Sequence, residues 1–158
     1  MKLYLLRHGI AADHGPDGTD TSRPLTSEGM EKVRRAARGM ERLGMKVDVL
    51  LASPLVRARQ TAEIVAREFK LHVQSADELA PGCDADRLLE LLRQCATERV
   101  MVVGHEPDFS DIIGALTGGS RVEMKKGALA RVDLHDLTLG SGALIWLLQP
   151  HVLHTVAK

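Results

Sequence analysis

Leu3-Tyr4-Leu5-Leu6-Arg7-His8-Gly9 is a run of four apolar residues followed at once by a cation and an imidazole. A short apolar run of this kind predicts a buried strand, so the polar residues stand where that strand ends. His8 is therefore a candidate nucleophile. Taken alone, a histidine at a strand end is equally well explained as a packed or surface residue. The catalytic interpretation of His8 therefore depends on motifs elsewhere in the chain.

Two further apolar runs end in the same way. Val49-Leu50-Leu51-Ala52 leads into Ser53-Pro54-Leu55-Val56-Arg57-Ala58-Arg59-Gln60-Thr61-Ala62, and Val100-Met101-Val102-Val103 leads into Gly104-His105-Glu106-Pro107. If the three runs are parallel strands of one sheet, their motifs meet at its carboxyl edge, where open α/β sheets bind ligands.

The side chains that would meet at this edge are two arginines and two histidines. Arginine presents a planar fork that pairs with phosphate oxygens, and a neutral imidazole can attack phosphorus. The set formed by Arg7, His8, Arg57 and His105 therefore predicts phosphoryl transfer.

Alternating strand and helix patterns predict an α/β fold. Thr26 is a candidate N-cap for a first helix that Gly44 can end, and strands are expected over residues 128–135 and 143–148. We expect a three-layer αβα architecture with a mostly parallel central sheet flanked by helices. Without repeats or linker-like segments, residues 1–158 are expected to form one domain.

The second motif also has a local structural logic. Ser53 is expected to cap a helix whose first residue is Pro54, because proline lacks the N–H that has no partner there. The N-terminus of that helix would favour an anion, which Arg57 in its first turns could also reach. Arg59, on a different helical face, is expected to be solvated.

Composition limits the function classes. Lys and Arg together number 21, as do Asp and Glu, so no net field attracts the protein to nucleic acid or a membrane. Cys83 and Cys95 occur without a secretory signal, which predicts free thiols and a cytoplasmic location. His151 and His154 have the spacing of metal ligands, but we expect them to be solvated in a polar tail.

The motifs RHG at residues 7–9, SPxxRAxQTA at 53–62 and GHEP at 104–107, in this order, resemble the histidine phosphatase superfamily, whose members are phosphoglycerate-mutase-like. Within it the chain is most similar to the SixA-type protein-phosphohistidine phosphatases. The resemblance extends over nearly the whole chain and includes the late segment of residues 125–130.

The resemblance implies a metal-independent phosphatase that uses no cofactor. His8 would form a covalent phosphohistidine intermediate, with Arg7 and Arg57 holding phosphoryl oxygens and His105 donating a further hydrogen bond. Glu78 occupies the position of the family's general acid, and Asp84 and Asp108 are alternatives. The expected substrate partner is a phosphohistidine-bearing protein, such as a signalling phosphotransfer domain.

Two other function classes stay open. A small-molecule phosphomonoesterase or sugar-phosphate enzyme would share the same catalytic core, although residues 10–13 differ from the polar residues that mutase-like relatives carry there. A binding module with a degenerate site would keep only the fold. The chain between Arg57 and His105 is already filled by predicted helices and strands, so little is left for a lid over a small substrate. The sequence leaves the oligomeric state undetermined.

Overall fold

A computed structural model describes all residues, 1–158, and contains a central six-stranded sheet. Its strands are β1 (Lys2–Arg7), β2 (Val49–Ala52), β3 (Val73–Ser75), β4 (Arg99–Gly104), β5 (Leu129–Leu134) and β6 (Gly142–Leu148). The order across the sheet is β3-β2-β4-β1-β5-β6, with β1 to β4 parallel and β5 antiparallel to both its neighbours. The expected mostly parallel sheet is confirmed.

Helices cover both faces of this sheet, which confirms the three-layer architecture. They are α1 (Ser27–Arg42), α2 (Val56–Phe69), α3 (Ala85–Arg93), α4 (Asp108–Leu116) and α5 (Pro150–Val156). Helices α1, α2 and α5 pack on one face, and α3 and α4 pack on the other. None of these helices is long and apolar enough to cross a membrane.

Burial on both faces explains the continuous apolar runs. In β1, Leu3 and Leu5 belong to the core under α3 and α4, whereas Tyr4 and Leu6 belong to the core under α1 and α2. Because successive strand residues point to opposite faces, a strand covered on both sides has no polar positions. The same requirement produces the apolar run of β4, and it leaves the strand ends as the places for polar side chains.

The start of α1 agrees with the sequence prediction. Thr26 is the N-cap, and its Oγ1 accepts a hydrogen bond from the Gly29 N–H at 2.9 Å. Gly44, with φ of 69°, follows the end of the helix, and its N–H donates to the Glu41 carbonyl. The left-handed conformation is one that glycine adopts without a Cβ penalty.

Two local predictions were wrong. Helix α2 begins at Val56 rather than at Pro54, and Ser53 makes no cap to a helical N–H; its Oγ accepts from the Leu55 N–H, at 3.3 Å, one residue before the helix. Residues 150–156 form helix α5 instead of a polar tail, packed on α1 through the fully buried Leu153. His151 is exposed as expected, but His154 is half-buried, and its Nε2 lies 3.0 Å from the Lys32 carbonyl oxygen.

Candidate active site

Backbone hydrogen bonds join the three motifs at the carboxyl edge of the sheet. The His8 N–H donates to the Gly104 carbonyl at 3.1 Å, and the Ser53 N–H donates to the Val103 carbonyl at 3.0 Å. The ends of β1, β2 and β4 are therefore fixed side by side, as parallel pairing requires. The predicted convergence of the motifs is present in the fold.

His8 lies at the centre of this edge with 6% of its surface exposed. Its Nδ1 lies 2.7 Å from the Gly9 carbonyl oxygen, which can only accept a proton, so Nδ1 carries the hydrogen and Nε2 keeps its lone pair. The Arg57 Nε donates toward this Nε2 at 3.3 Å, and the His105 ring centroid is 5.3 Å from that of His8.

Both histidines are held in the neutral form. Burial is the main cause that lowers the pKa of His8 to about 3, and the nearby His105, Arg57 and Arg7 lower it further, while the bond to Gly9 opposes the shift. Burial also lowers the pKa of His105 to about 4, with Arg57 adding to the effect. At neutral pH, His8 thus presents an unprotonated nitrogen, which is what a nucleophile needs.

Arg57 is the second residue of α2, and only 7% of its side chain is exposed. Its backbone carbonyl accepts a hydrogen bond from Thr61 Oγ1 at 2.7 Å, and that oxygen accepts one from the Gly9 N–H at 3.1 Å. Thr61 therefore ties the first motif to the helix that carries Arg57. The terminal nitrogens of Arg57 donate to Asp20, in the loop after β1.

Two nitrogens at this edge are the buried side-chain polar atoms that have no hydrogen-bond partner. They are Arg7 Nε and His105 Nδ1. Each of the two residues has another nitrogen with a partner: Arg7 Nη1 donates to the Met124 carbonyl at 2.7 Å, and His105 Nε2 lies 2.8 Å from Ser53 Oγ. Burial lowers the pKa of Arg7. Since buried polar groups in folded proteins are almost always paired, the two nitrogens mark a place for polar atoms of a ligand, and Arg7 Nε, which can only donate, requires an acceptor there.

Glu78 lies in a short 3₁₀ helix, Asp77–Leu79, that follows β3. The Ala76 N–H donates to the Ala52 carbonyl at 2.9 Å, so this helix begins beside the second motif at the same sheet edge. The Glu78 side chain is half-buried and makes no hydrogen bond to the other predicted residues. The assignment of Glu78 as general acid stays a prediction.

The alternative acids have structural partners of their own. Asp84 is the N-cap of α3 and accepts from the Arg87 N–H at 2.9 Å. Asp108 accepts from the Gly82 N–H at 2.8 Å. The carboxylates of Asp84 and Asp108 are thus engaged with backbone N–H groups, which favours Glu78 among the three candidates.

Sequence reasoning missed the partners of the predicted residues. The spacing of Thr61 from Arg57 places both on one face of a helix and would have been a usable signal. The contact of Ser53 with His105 and that of Asp20 with Arg57 join distant parts of the chain and had no local signal.

A cavity of about 440 Å³ adjoins this edge and shares Arg7 and Gly9 with it. It lies between α1, the segment before β5 and the start of α5, and has Val33 and Met40 among its apolar walls. Lys125 and Lys126 are among its basic residues. His8, Arg57 and His105 do not line it. The cavity is therefore a neighbour of the cluster formed by His8, Arg57 and His105 and not that cluster itself.

Known proteins share both this sequence pattern and this fold. The sequence profile of the histidine phosphatase superfamily (branch 1) matches residues 3–81. An uncharacterised protein of Picosynechococcus is 35% identical over 85% of this chain and 90% of its own length. The phosphohistidine phosphatase SixA of Escherichia coli is 29% identical over 95% of this chain and 94% of its own.

A solved structure gives the same result for the fold. The structure of the protein histidine phosphatase SixA complexed with tungstate superimposes with a TM-score of 0.87 at 28% identity, covering 97% of this chain and 99% of that one. The resemblance seen in the three motifs is thereby confirmed. The chain belongs to the histidine phosphatase superfamily, branch 1.

Proposed function

We propose that this protein is a phosphohistidine phosphatase that removes phosphoryl groups from histidine on signalling phosphotransfer proteins. The observation that carries the proposal is the pair of unpartnered buried nitrogens, Arg7 Nε and His105 Nδ1, in residues that stand at the same strand ends as His8 with its unprotonated Nε2. Donors fixed before the substrate arrives stabilise the charge of a phosphoryl group without reorganising. The site thus combines a nucleophile with the donors that phosphoryl transfer requires.

The reaction proceeds in two displacements. His8 Nε2 attacks phosphorus in line, and the P–N bond to the substrate histidine breaks as the leaving imidazole nitrogen takes a proton from Glu78, the predicted general acid. Arg7 and Arg57 hold the equatorial oxygens, and His105 donates to one of them. Water then attacks the phosphohistidine formed on His8 and passes a proton to the Glu78 carboxylate. The P–Nε2 bond breaks, inorganic phosphate leaves, and His8 is again a neutral imidazole.

The relatives support the substrate class. SixA of Escherichia coli carries the name phosphohistidine phosphatase, and the solved SixA binds tungstate, a tetrahedral oxyanion like phosphate. A phosphohistidine on a protein surface needs an open site, in keeping with the short chain between Arg57 and His105, which folds into the rest of α2, β3, α3 and β4. The proposal includes the cytoplasmic location expected from Cys83 and Cys95, which are unpaired in the structure.

A small-molecule phosphomonoesterase is the second candidate, and one observation favours it. The cavity beside Arg7 has apolar walls and the basic residues Lys125 and Lys126, a surface suited to the organic part of an anionic phosphate ester. For this candidate function, the substrate would have its phosphoryl group at His8 and its organic part in the neighbouring cavity.

Competition kinetics decide between the candidates. The protein is offered a phosphohistidine-bearing phosphotransfer domain and a panel of sugar phosphates and phosphoglycerate in parallel, without added metal. We expect a far higher kcat/KM for the phosphohistidine protein. A small ester that is turned over more efficiently than every phosphohistidine protein would overturn the proposal in favour of the phosphomonoesterase, and absence of any phosphoenzyme with all substrates would indicate a binding module.

A further inference from the structure

Asp20 is the residue that holds the terminal nitrogens of Arg57. Arg57 Nη2 donates to Asp20 Oδ2 at 3.0 Å, and Arg57 Nη1 donates to the Asp20 backbone carbonyl at 2.8 Å. The third nitrogen, Nε, points instead to His8 Nε2. One aspartate thus fixes one end of the guanidinium while the nitrogen beside the nucleophile stays turned toward it.

A guanidinium group has donors to spare for such a role. It carries five N–H bonds, of which Asp20 takes one on each terminal nitrogen. The Nε–H and one further N–H on each terminal nitrogen are left for phosphoryl oxygens. Asp20 and a phosphoryl group can therefore be bound by Arg57 at the same time.

Asp20 is itself held in place by the loop that carries it. The loop is closed where the Ala12 N–H donates to the Pro24 carbonyl at 2.8 Å. The Thr21 carbonyl accepts from the Val56 N–H, at the first residue of α2, at 3.2 Å. The loop is thus attached to the helix that carries Arg57, immediately beside the contact.

A second arginine shares the carboxylate. Arg23 Nη1 donates to Asp20 Oδ1 at 2.7 Å, and Arg23 Nε donates to the Ala12 carbonyl at 2.7 Å. Each carboxylate oxygen therefore accepts from a different arginine, so the carboxylate is fixed on both sides even though 57% of the Asp20 side chain is exposed. A loose carboxylate would restrain Arg57 far less.

From these contacts we propose that Asp20 is a positioning residue for Arg57, holding its guanidinium so that Nε faces the phosphoryl group attacked by His8. The inference rests on the proposed function, because it assigns Asp20 a part in that same site. Holding the guanidinium before substrate binds removes the cost of ordering a long side chain at the moment of reaction. Asp20 makes no hydrogen bond to His8 or His105, and the proposed role is exerted through Arg57.

The test is a double-mutant cycle with Asp20→Ala, Arg57→Ala and the double variant. We expect Asp20→Ala to lower kcat/KM about tenfold and to weaken the binding of inorganic phosphate, since a guanidinium out of position loses aligned donors. In the Arg57→Ala background, removing Asp20 should have no further effect, because residues that act as one unit are not additive. The variant Asp20→Asn keeps the shape of the side chain and one acceptor oxygen. Its kcat/KM and phosphate affinity should therefore lie between those of the parent and those of Asp20→Ala.

Glu63→Gln is the matched control. Glu63 pairs with Arg59 at 3.6 Å on the exposed side of α2, so this variant removes one carboxylate from an arginine of the same helix outside the site. We expect its kcat/KM and phosphate affinity to equal those of the parent. Thermal unfolding of each variant shows whether the fold is intact.

Three results would overturn the proposal. A higher kcat/KM or tighter phosphate binding in Asp20→Ala would show that Asp20 competes with phosphate for Arg57. Equal losses with and without Arg57 would show that Asp20 acts elsewhere, and unchanged kinetics and affinity would show that it has no role. Because phosphate affinity is measured by calorimetry on each protein without any substrate, the cycle can be completed even if the phosphohistidine substrate class proves wrong.

Discussion

His8 has a fixed ring orientation and a neutral imidazole, two properties that are difficult to combine at a water-exposed position. Its Nδ1 is tied to the Gly9 carbonyl, and burial among cations keeps the ring neutral, so Nε2 is available at physiological pH. The Nε2 of His105, by contrast, lies 2.8 Å from Ser53 Oγ and is engaged with it. His8 Nε2 is therefore the nitrogen to which the proposed mechanism assigns the attack on phosphorus.

The variant His8→Ala should abolish turnover and leave no acid-labile phosphoenzyme. The loss should exceed the roughly 10²–10³-fold that follows removal of one transition-state donor, because no nucleophile is left. The measurement is single-turnover hydrolysis with a phosphohistidine protein, with circular dichroism to confirm folding. Near-parent activity in a folded variant would rule out the covalent mechanism.

Arg57 supplies a planar fork, and this shape can be tested separately from its charge. Arg57→Ala should reduce both kcat/KM and phosphate affinity, and Arg57→Lys should recover only part of the loss, because an ammonium cannot donate along two parallel bonds. Lysine also cannot reproduce the simultaneous contacts with His8 and Asp20. Full activity in Arg57→Lys would show that charge alone suffices.

Glu78 can be examined through the leaving group. Imidazole leaves more easily than an alkoxide, so it depends less on a proton from a general acid. We expect Glu78→Gln to lose less activity with a phosphohistidine protein than with an alkyl phosphate, measured as the ratio of the two kcat/KM values. An equal loss with both substrates would contradict the assignment, and Asp84→Asn and Asp108→Asn serve as comparisons.

At the scale of elements, strands β1 and β4 could be predicted from the sequence because burial on both faces requires an unbroken run of apolar residues. The candidate site residues could be predicted because they come directly after the ends of these apolar runs. Helix α5 has seven residues and only one fully buried side chain, too little for a periodic pattern. The Asp20 contact lies in a loop without periodicity. Its partner is 37 positions away, so no local rule indicates it.

Close packing between α1 and the segment after β1 depends on one glycine. A Cβ added at Gly29 would lie 2.1 Å from the Ile10 carbonyl oxygen, a backbone atom that also accepts from the Thr26 N–H. In a free helix, Gly→Ala would stabilise by about 0.5–1 kcal/mol. Here the clash should dominate, because the Ile10 carbonyl cannot move away from α1 without losing its hydrogen bond from the Thr26 N–H.

We therefore expect Gly29→Ala to destabilise the protein by roughly 1–3 kcal/mol, the usual cost of overpacking. The measurement is the free energy of unfolding in urea, with Arg38→Ala, at an exposed position of the same helix, as control. A stability equal to or above that of the parent would show that α1 can shift away from Ile10 without cost.

For the whole molecule, the neutral histidines of the site link its chemistry to its acid stability. The pKa values of His8 and His105 are about 3 and about 4 in the folded protein. In the unfolded chain a histidine titrates at about 6.5. Between these values the unfolded state binds more protons, so stability is fully present above pH 6.5 and falls as pH decreases toward 4.

A variant with both His8→Gln and His105→Gln should consequently lose less stability than the parent between pH 7.5 and pH 5. Glutamine keeps polar atoms in the site but does not titrate. The measurement is the free energy of unfolding in urea at the two pH values. Phosphate-free buffer is used because a bound anion would stabilise the folded state and oppose the effect.

Carboxylates with a strongly lowered pKa do not contribute to the change in this pH range. Hydrogen bonds, chiefly from Ser22 to Asp17 and from Arg99 to Asp48, lower the pKa of both carboxylates to about 2, so both stay ionised at pH 5. If parent and variant lost the same stability, the two histidines would not be held neutral by the fold, and the basis for an unprotonated His8 nucleophile would fail.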